Sequence, residues 1–198
     1  MKIGAHVSTA GGADKAIDRA VDLGAEAIQI FASSPRAWRF RTPKDEEIAA
    51  FREKSESTGV APTFIHGSYL VNMGGPGELL EKSVGSLIEH MNAAGRLGAA
   101  GVIFHLGSHK GAGLDAVLAQ VVSGLKTVMD SSPDDVWLVI ENSAGMGSHI
   151  GSSFGEIGEI MKAVGNPSVM VCLDTQHSTA AGYDIADPKG IEAAMAEF

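Results

Sequence analysis

The sequence has a single cysteine, Cys172, so no internal disulfide staples it, and a reducing, cytoplasmic setting is the expectation. It has no run of about 18 apolar residues, which excludes a transmembrane helix and, with it, a membrane partner. The first six residues lack the longer apolar stretch of a signal peptide and read as a strand. Basic residues are outnumbered, 15 Lys and Arg against 24 Asp and Glu, for a net charge of −9. That balance argues against non-specific nucleic-acid binding through a basic face without excluding it, since bound divalent metals can supply positive charge where a phosphate sits. Aromatic residues are sparse at 6%, so Trp38 and Tyr69, both in loop-like sequence, stand out.

What the sequence does have is apolar content, 44% over 198 residues, enough for one sizeable core. It is laid out as a regular alternation. Strand-like runs fall at 2–6, 25–32, 61–66, 100–105, 136–141 and 169–174. Between them lie helical patterns: Ala13, Ala16, Ile17, Ala20 and Val21 repeat at helical spacing, with Gly24 as the closing residue. A second helix is expected to start at Thr42-Pro43, with Thr as cap and Pro in the first turn. Others follow at about 77–97 and 114–129. Ser153 and Glu156 then form a capping box, and Asp187-Pro188 opens a last helix. Residues 136–141 (VWLVIE) are almost continuously apolar, as in a strand covered by helices.

Strand centres recur about every 33 residues, the rhythm of βα units in a parallel α/β fold. Two architectures remain open at this point, a doubly wound open sheet and a barrel. Eight such units would need roughly 265 residues, close to the length of a closed barrel. The expectation is a single domain over 1–198 built as a TIM-type (β/α)8 barrel of which about six βα units are present.

The chemistry gathers where the strands end. His66 closes the third, His105 the fourth and Glu141 the fifth, while Asp174 and His177 follow the sixth. Parallel strands deliver functional side chains at their C-terminal ends. Imidazole and carboxylate donors without cysteine suit zinc, with manganese or iron as competitors, and a carboxylate such as Glu141 can bridge two ions. His6 ends the first strand in the same way and stays open between ligation, support of the ligands from behind and a phosphate contact. His109 stays open between ligand, phosphate contact and surface residue. His90 and His149 are expected to be solvated or locally hydrogen-bonded.

Gly4-Ala5-His6-Val7-Ser8, His66-Gly67-Ser68-Tyr69-Leu70-Val71-Asn72, Phe104-His105-Leu106-Gly107-Ser108-His109 and Ile140-Glu141-Asn142-Ser143-Ala144-Gly145 resemble, in order, motifs of the endonuclease IV family of zinc-dependent apurinic/apyrimidinic endonucleases. Leu173-Asp174-Thr175-Gln176-His177, with Ala180-Ala181-Gly182-Tyr183-Asp184 after it, carries the same resemblance. It implies a barrel whose top face holds up to three zinc ions. It also implies cleavage of the phosphodiester bond 5′ to abasic sites in duplex DNA, leaving a 3′-hydroxyl, by hydroxide attack at a multi-zinc centre. By that resemblance His66, His105 and Glu141 hold one zinc, Glu141 and Asp174 share a second, and His177 serves a third. Arg36 and Tyr69 match loop residues that enter or hold open the damaged duplex, as wedges do at an unstacked step. Gln176 and Gly67 depart from the family pattern without changing a ligand type.

The family draws four further zinc ligands from strands seven and eight and their surroundings. The expectation is therefore a C-terminally truncated barrel holding fewer than three ions, with open edges that invite self-association. Two rival readings are a divalent-metal sugar isomerase or epimerase barrel and a non-catalytic fragment. Against the first stand the lack of a strand-end lysine and the presence of Arg36 and Tyr69.

Overall fold

The computed structural model describes residues 1–198 as six parallel strands alternating with helices. The order is β1 (Gly4–His6), α1 (Asp14–Leu23), β2 (Ala27–Ile30), α2 (Asp45–Thr58), β3 (Thr63–His66), α3 (Gly77–Leu97), β4 (Gly101–Phe104), α4 (Leu114–Asp130), β5 (Trp137–Glu141), α5 (Phe154–Val164), β6 (Val169–Cys172), α6 (Thr175–Ala180) and α7 (Pro188–Glu197). The strands pair strictly in sequence order, β1 through β6. That order decides between the two architectures, because a doubly wound sheet reverses direction at a switch point and a barrel does not. β1 and β6 each have one neighbour, and the sheet does not close on itself.

Alternation along each strand separates two faces. Ile28, Ile30, Ile65, Val102, Phe104, Leu138 and Ile140 turn one way and are at most 2% exposed. They meet the apolar stripes of the helices in one core of 33 residues that includes Ile17, Leu87, Met91, Val121, Leu125 and Ile160. The opposite, concave face carries Gln29, Phe64, His66, Ile103, Val139, Glu141 and Cys172, and it is less completely covered: Trp137 and Met170 remain about half exposed. The chemistry lies along the C-terminal rim of this face.

The helices begin and end largely as their sequences dictate. Gly24, Gly59, Gly98 and Gly165 close α1, α2, α3 and α5 in the left-handed conformation. Ser153 Oγ accepts from Glu156 N at 3.2 Å and caps α5. Asp187 accepts from the amides of Lys189 and Gly190 at the start of α7.

The start of α2 corrects the sequence reading. Thr42 is not the cap and Pro43 is not in the first turn; Lys44 is the N-cap, and Glu47 reaches back to accept its amide at 2.9 Å. Pro43 is instead buried ahead of the helix, and its carbonyl accepts from Arg96 of α3. Arg96 also pairs with Asp45, so a tertiary tie displaces the start by two residues.

Candidate metal centre

Register places the donors. Glu141 and Cys172 are paired neighbours on β5 and β6, and His66 is paired with Ile103, two residues short of His105. The stagger of a parallel sheet thus brings the ends of β3, β4 and β5 together at the rim. Glu141 is central and 7% exposed. Its Oε2 lies 3.2 Å from His66 Nε2 and 3.7 Å from His105 Nε2, and its Oε1 lies 3.4 Å from His177 Nδ1. His177 Nδ1 is in turn 3.7 Å from Asp174 Oδ2. Two groups of donors follow, His66–His105–Glu141 and Glu141–Asp174–His177, each with its atoms within 4.8 Å of one another. They line a cavity of about 530 Å³ together with Gln29, Tyr69, Cys172 and Leu173.

The donor set fits a cation on a local argument. His66 Nδ1 lies 2.9 Å from the Gly67 carbonyl, which only accepts, so Nδ1 carries the proton. Nε2 then faces the Glu141 carboxylate as lone pair against lone pair, 3.2 Å apart and out of water. Such a pair needs a second proton on the ring or a cation between the two atoms. His177 differs: its Nδ1 lies 3.0 Å from the Asn142 carbonyl, so it donates there and turns a protonated nitrogen towards Glu141 and Asp174, leaving Nε2 free to bind.

Asp174 does two jobs. Oδ1 accepts the amide of His177 at 2.7 Å and caps α6, while Oδ2 stays on the cavity side. The stretch after β6 is thus a short helix rather than the loop its small residues suggest, and the helical turn is what sets Asp174 and His177 side by side. Asn142 is the residue that sequence reasoning passed over. It is 1% exposed; its Oδ1 accepts from Asp174 N at 2.6 Å, and its Nδ2 donates to the Asp174 carbonyl and to Ser178 Oγ. One amide therefore stitches the end of β5 to the start of α6. The available signal was its position directly after Glu141, where a primary amide is the side chain that can both donate and accept.

His6 stands outside the donor groups. It is paired with Gln29 across β1 and β2, and Gln29 Nε2 lies 2.8 Å from His6 Nδ1. Gln29 lines the cavity, and the His6 ring also packs on Phe31, which meets the His66 ring. His109 is also outside both groups, its Nδ1 accepting from Gly111 N and Gly113 N. His149 is exposed, whereas His90 is buried in α3 against Phe40, with Nδ1 2.7 Å from the Ser86 carbonyl. His90 is locally hydrogen-bonded as expected, but not solvated, because Phe40 closes over it.

Arg36 is exposed, and Tyr69 is 52% exposed with its ring 5.2 Å from that of His66. Their loops are joined through one atom. The Pro35 carbonyl accepts from Tyr69 N at 2.9 Å and from Ser68 Oγ at 3.0 Å. Arg36 and Tyr69 thus stand on a common support at the cavity mouth.

Burial lowers the pKa of His6, His90 and His105, which disfavours their protonated forms; neighbouring imidazoles add to this, and Glu141 opposes it at His105. Burial, assisted by Glu141 and Asp174, pushes the Cys172 thiol up to about 11, so it is no thiolate at neutral pH. A pH dependence follows for the metal-free chain. The three histidines take up protons more readily unfolded, near their ordinary 6.5, than folded. Stability is therefore full above that value and falls as pH drops through it towards the lower folded values. Urea midpoints should be lower at about pH 5.5 than at about pH 7.5, and His90→Gln should flatten part of the difference. Identical slopes in the parent and the variant would show that His90 does not contribute.

The fold and this rim define a class. Residues 17–197 match the family model described as a xylose isomerase-like TIM barrel. A crystal structure of D-psicose 3-epimerase shares the fold, with a TM-score of 0.76 at 18% identity, over 100% of this chain and 69% of that one. Two other similarities are far stronger. A protein of Natronomonas pharaonis described as probable endonuclease 4 is 40% identical over 199 residues, which cover all of this chain and 70% of the relative. The crystal structure of endonuclease IV from Thermus thermophilus superposes with a TM-score of 0.87 at 40% identity, over 98% of this chain and 71% of that one. The chain belongs to the endonuclease IV family and spans about 70% of the length of these two relatives. No helix in it is long and apolar enough to cross a membrane.

Proposed function

We propose that this chain serves the hydrolysis of the phosphodiester bond 5′ to abasic sites in duplex DNA, with zinc as the resident metal. The observation that carries the reading is the division of Glu141, one oxygen facing His66 and His105 and the other facing His177 beside Asp174. A buried carboxylate with imidazoles at one oxygen and a second carboxylate, Asp174, in the donor group at its other side suits a bridged multi-metal centre. Bound there, zinc supplies Lewis-acid polarisation of the phosphate and a nucleophile formed from water at neutral pH. His66, His105 and Glu141 would hold one ion and Glu141 with Asp174 a second, while His177 would offer a single donor towards a third.

The remaining work is positional. The Gly67 and Asn142 carbonyls fix the tautomers of His66 and His177, so each presents a nitrogen lone pair without a search among protonation states. Arg36 and Tyr69 engage the duplex at the lesion, where an abasic step unstacks at low cost. Their shared support on Pro35 keeps the two wedges in step. Sugar epimerase chemistry is the less favoured reading, since no lysine lines the cavity and the epimerase likeness is one of fold.

The test is a duplex carrying one synthetic abasic site, incubated with the zinc-loaded chain before and after prolonged chelation. Nicking 5′ to the site, lost on chelation and restored by zinc, is expected. Specific activity that rises with protein concentration would accompany association through the free edges of β1 and β6. A zinc-loaded chain that neither binds nor cuts the abasic duplex would sink the reading.

A further inference from the structure

The loop between β4 and α4 carries a feature that the donor groups do not use. It is clamped from both sides. Asn72 Oδ1 accepts from Ser108 N at 2.9 Å, and Met73 N donates to the Leu106 carbonyl. On the other flank His109 N donates to the Ser148 carbonyl and Ile150 N to the Gly107 carbonyl, both at 2.9 Å. Gly107 is required at this crossing, since a Cβ there would lie 2.5 Å from Asn72 Cα. The tip is held in an unusual conformation: Lys110 is the one non-glycine residue of the chain with positive φ, at 48°. A side chain in that region costs about 1 kcal/mol or more unless it is replaced by glycine. Lys110 is exposed and its ammonium forms no ion pair, while its amide donates to Ser108 Oγ at 3.0 Å and holds the turn.

His109, beside it, has a defined tautomer. Its Nδ1 accepts two backbone amides, from Gly111 at 3.2 Å and from Gly113 at 3.0 Å. The ring proton therefore sits on Nε2, which is left as a hydrogen-bond donor. The clamped loop thus presents an N–H donor and an ammonium from adjacent residues, on the side of the sheet where the strands end and the donor groups lie. At no more than about 3.5 Å per residue, Lys110 lies within roughly 18 Å of His105. That distance is about five nucleotides along one DNA strand at about 3.4 Å each.

We infer that His109 and Lys110 form a clamp for one backbone phosphate of the DNA strand, a few nucleotides from the scissile bond. This rests on the proposed DNA substrate and extends it, because in a chain of net charge −9 a placed cation of this kind must do what a basic face does elsewhere.

The test is binding of the zinc-loaded chain to an abasic duplex over a series of salt concentrations. Lys110→Gln should weaken binding by about fivefold to tenfold at low salt and reduce the slope of log K against log salt by about 0.9. The deficit should shrink as salt rises, and Lys110→Arg should restore both. Lys110→Gly relieves the backbone while removing the side chain with its charge, so it must show the same slope loss; this separates the clamp from any folding defect. Imidazole ¹⁵N spectra should show His109 as the Nε2–H tautomer with a shift on adding duplex. An unchanged slope in both neutral variants, or the Nδ1–H tautomer, would overturn the clamp while leaving the parent reading intact. A wild-type chain with no salt-dependent affinity for the duplex would overturn both.

Discussion

Glu141→Gln should lower zinc affinity by about two to three and a half orders of magnitude and abolish detectable nicking. The substitution keeps the shape and removes one charge. Taking one partner from a buried charge-paired set costs about 3–5 kcal/mol, and each 1.4 kcal/mol is tenfold in binding. Both donor groups lose their anion at once, because Glu141 belongs to each. The metal-free protein should respond in the opposite sense. There one carboxylate oxygen lies against the His66 and His105 nitrogens, and glutamine can donate to His66 Nε2 instead. Metal-free Glu141→Gln should be as stable as the parent or more so by urea denaturation, while its zinc titration is shifted. A loss of stability in the metal-free state equal to the loss of zinc affinity would mean that Glu141 is an ion-pair partner of doubly protonated His66 rather than a ligand.

The second large effect is expected at Asn142, which touches no proposed ion. Asn142→Ala removes three side-chain hydrogen bonds and strands the amide of Asp174, while the Asp174 carbonyl keeps Ser178 N and Ser178 Oγ as donors. A buried group left unpaired costs about 1–3 kcal/mol, so a loss of that size in stability is expected. The functional effect should be selective. His66, His105 and Glu141 are held by β3, β4 and β5, whereas Asp174 and His177 depend on the stitched start of α6. Zinc titration should retain the tightest ion and lose the weaker ones, and Asn142→Asp should rescue only in part, since it accepts from Asp174 N but cannot donate. Equal loss of every ion would show that the two donor groups are not independent.

The two halves of the centre were unequally legible in the sequence. His66, His105 and Glu141 could be read because each closes an apolar run, and a strand end fixes both the face and the height of a side chain. All six strands were legible for the same reason, though most are shorter than their apolar runs; β6 ends at Cys172 because Asp174 is already the cap of the next helix. Helix α6 was not legible. Thr175 to Ala180 contains two threonines and a serine, residues with alternatives to helix, and the turn forms because Asp174 caps it and Asn142 holds Asp174. Asn142, His90 and the start of α2 share that character. Each is decided by a partner distant in sequence, Asp174, Phe40 and Arg96 respectively, and periodicity carries no information about such partners.

The loops above the sheet are linked edge to edge. Pro35 holds the loop of Tyr69, Asn72 holds the loop of Ser108, Gly107 pairs with Ile150, and Asn142 grips Asp174. Nearly every link uses a main-chain atom on at least one side, so drift in side chains leaves the wiring in place while a change in loop length does not. For anyone transplanting specificity between members of this fold, the loops are not cassettes. They behave as one woven collar, and an exchange that carries a single loop without its neighbour cuts a thread on each side of the graft.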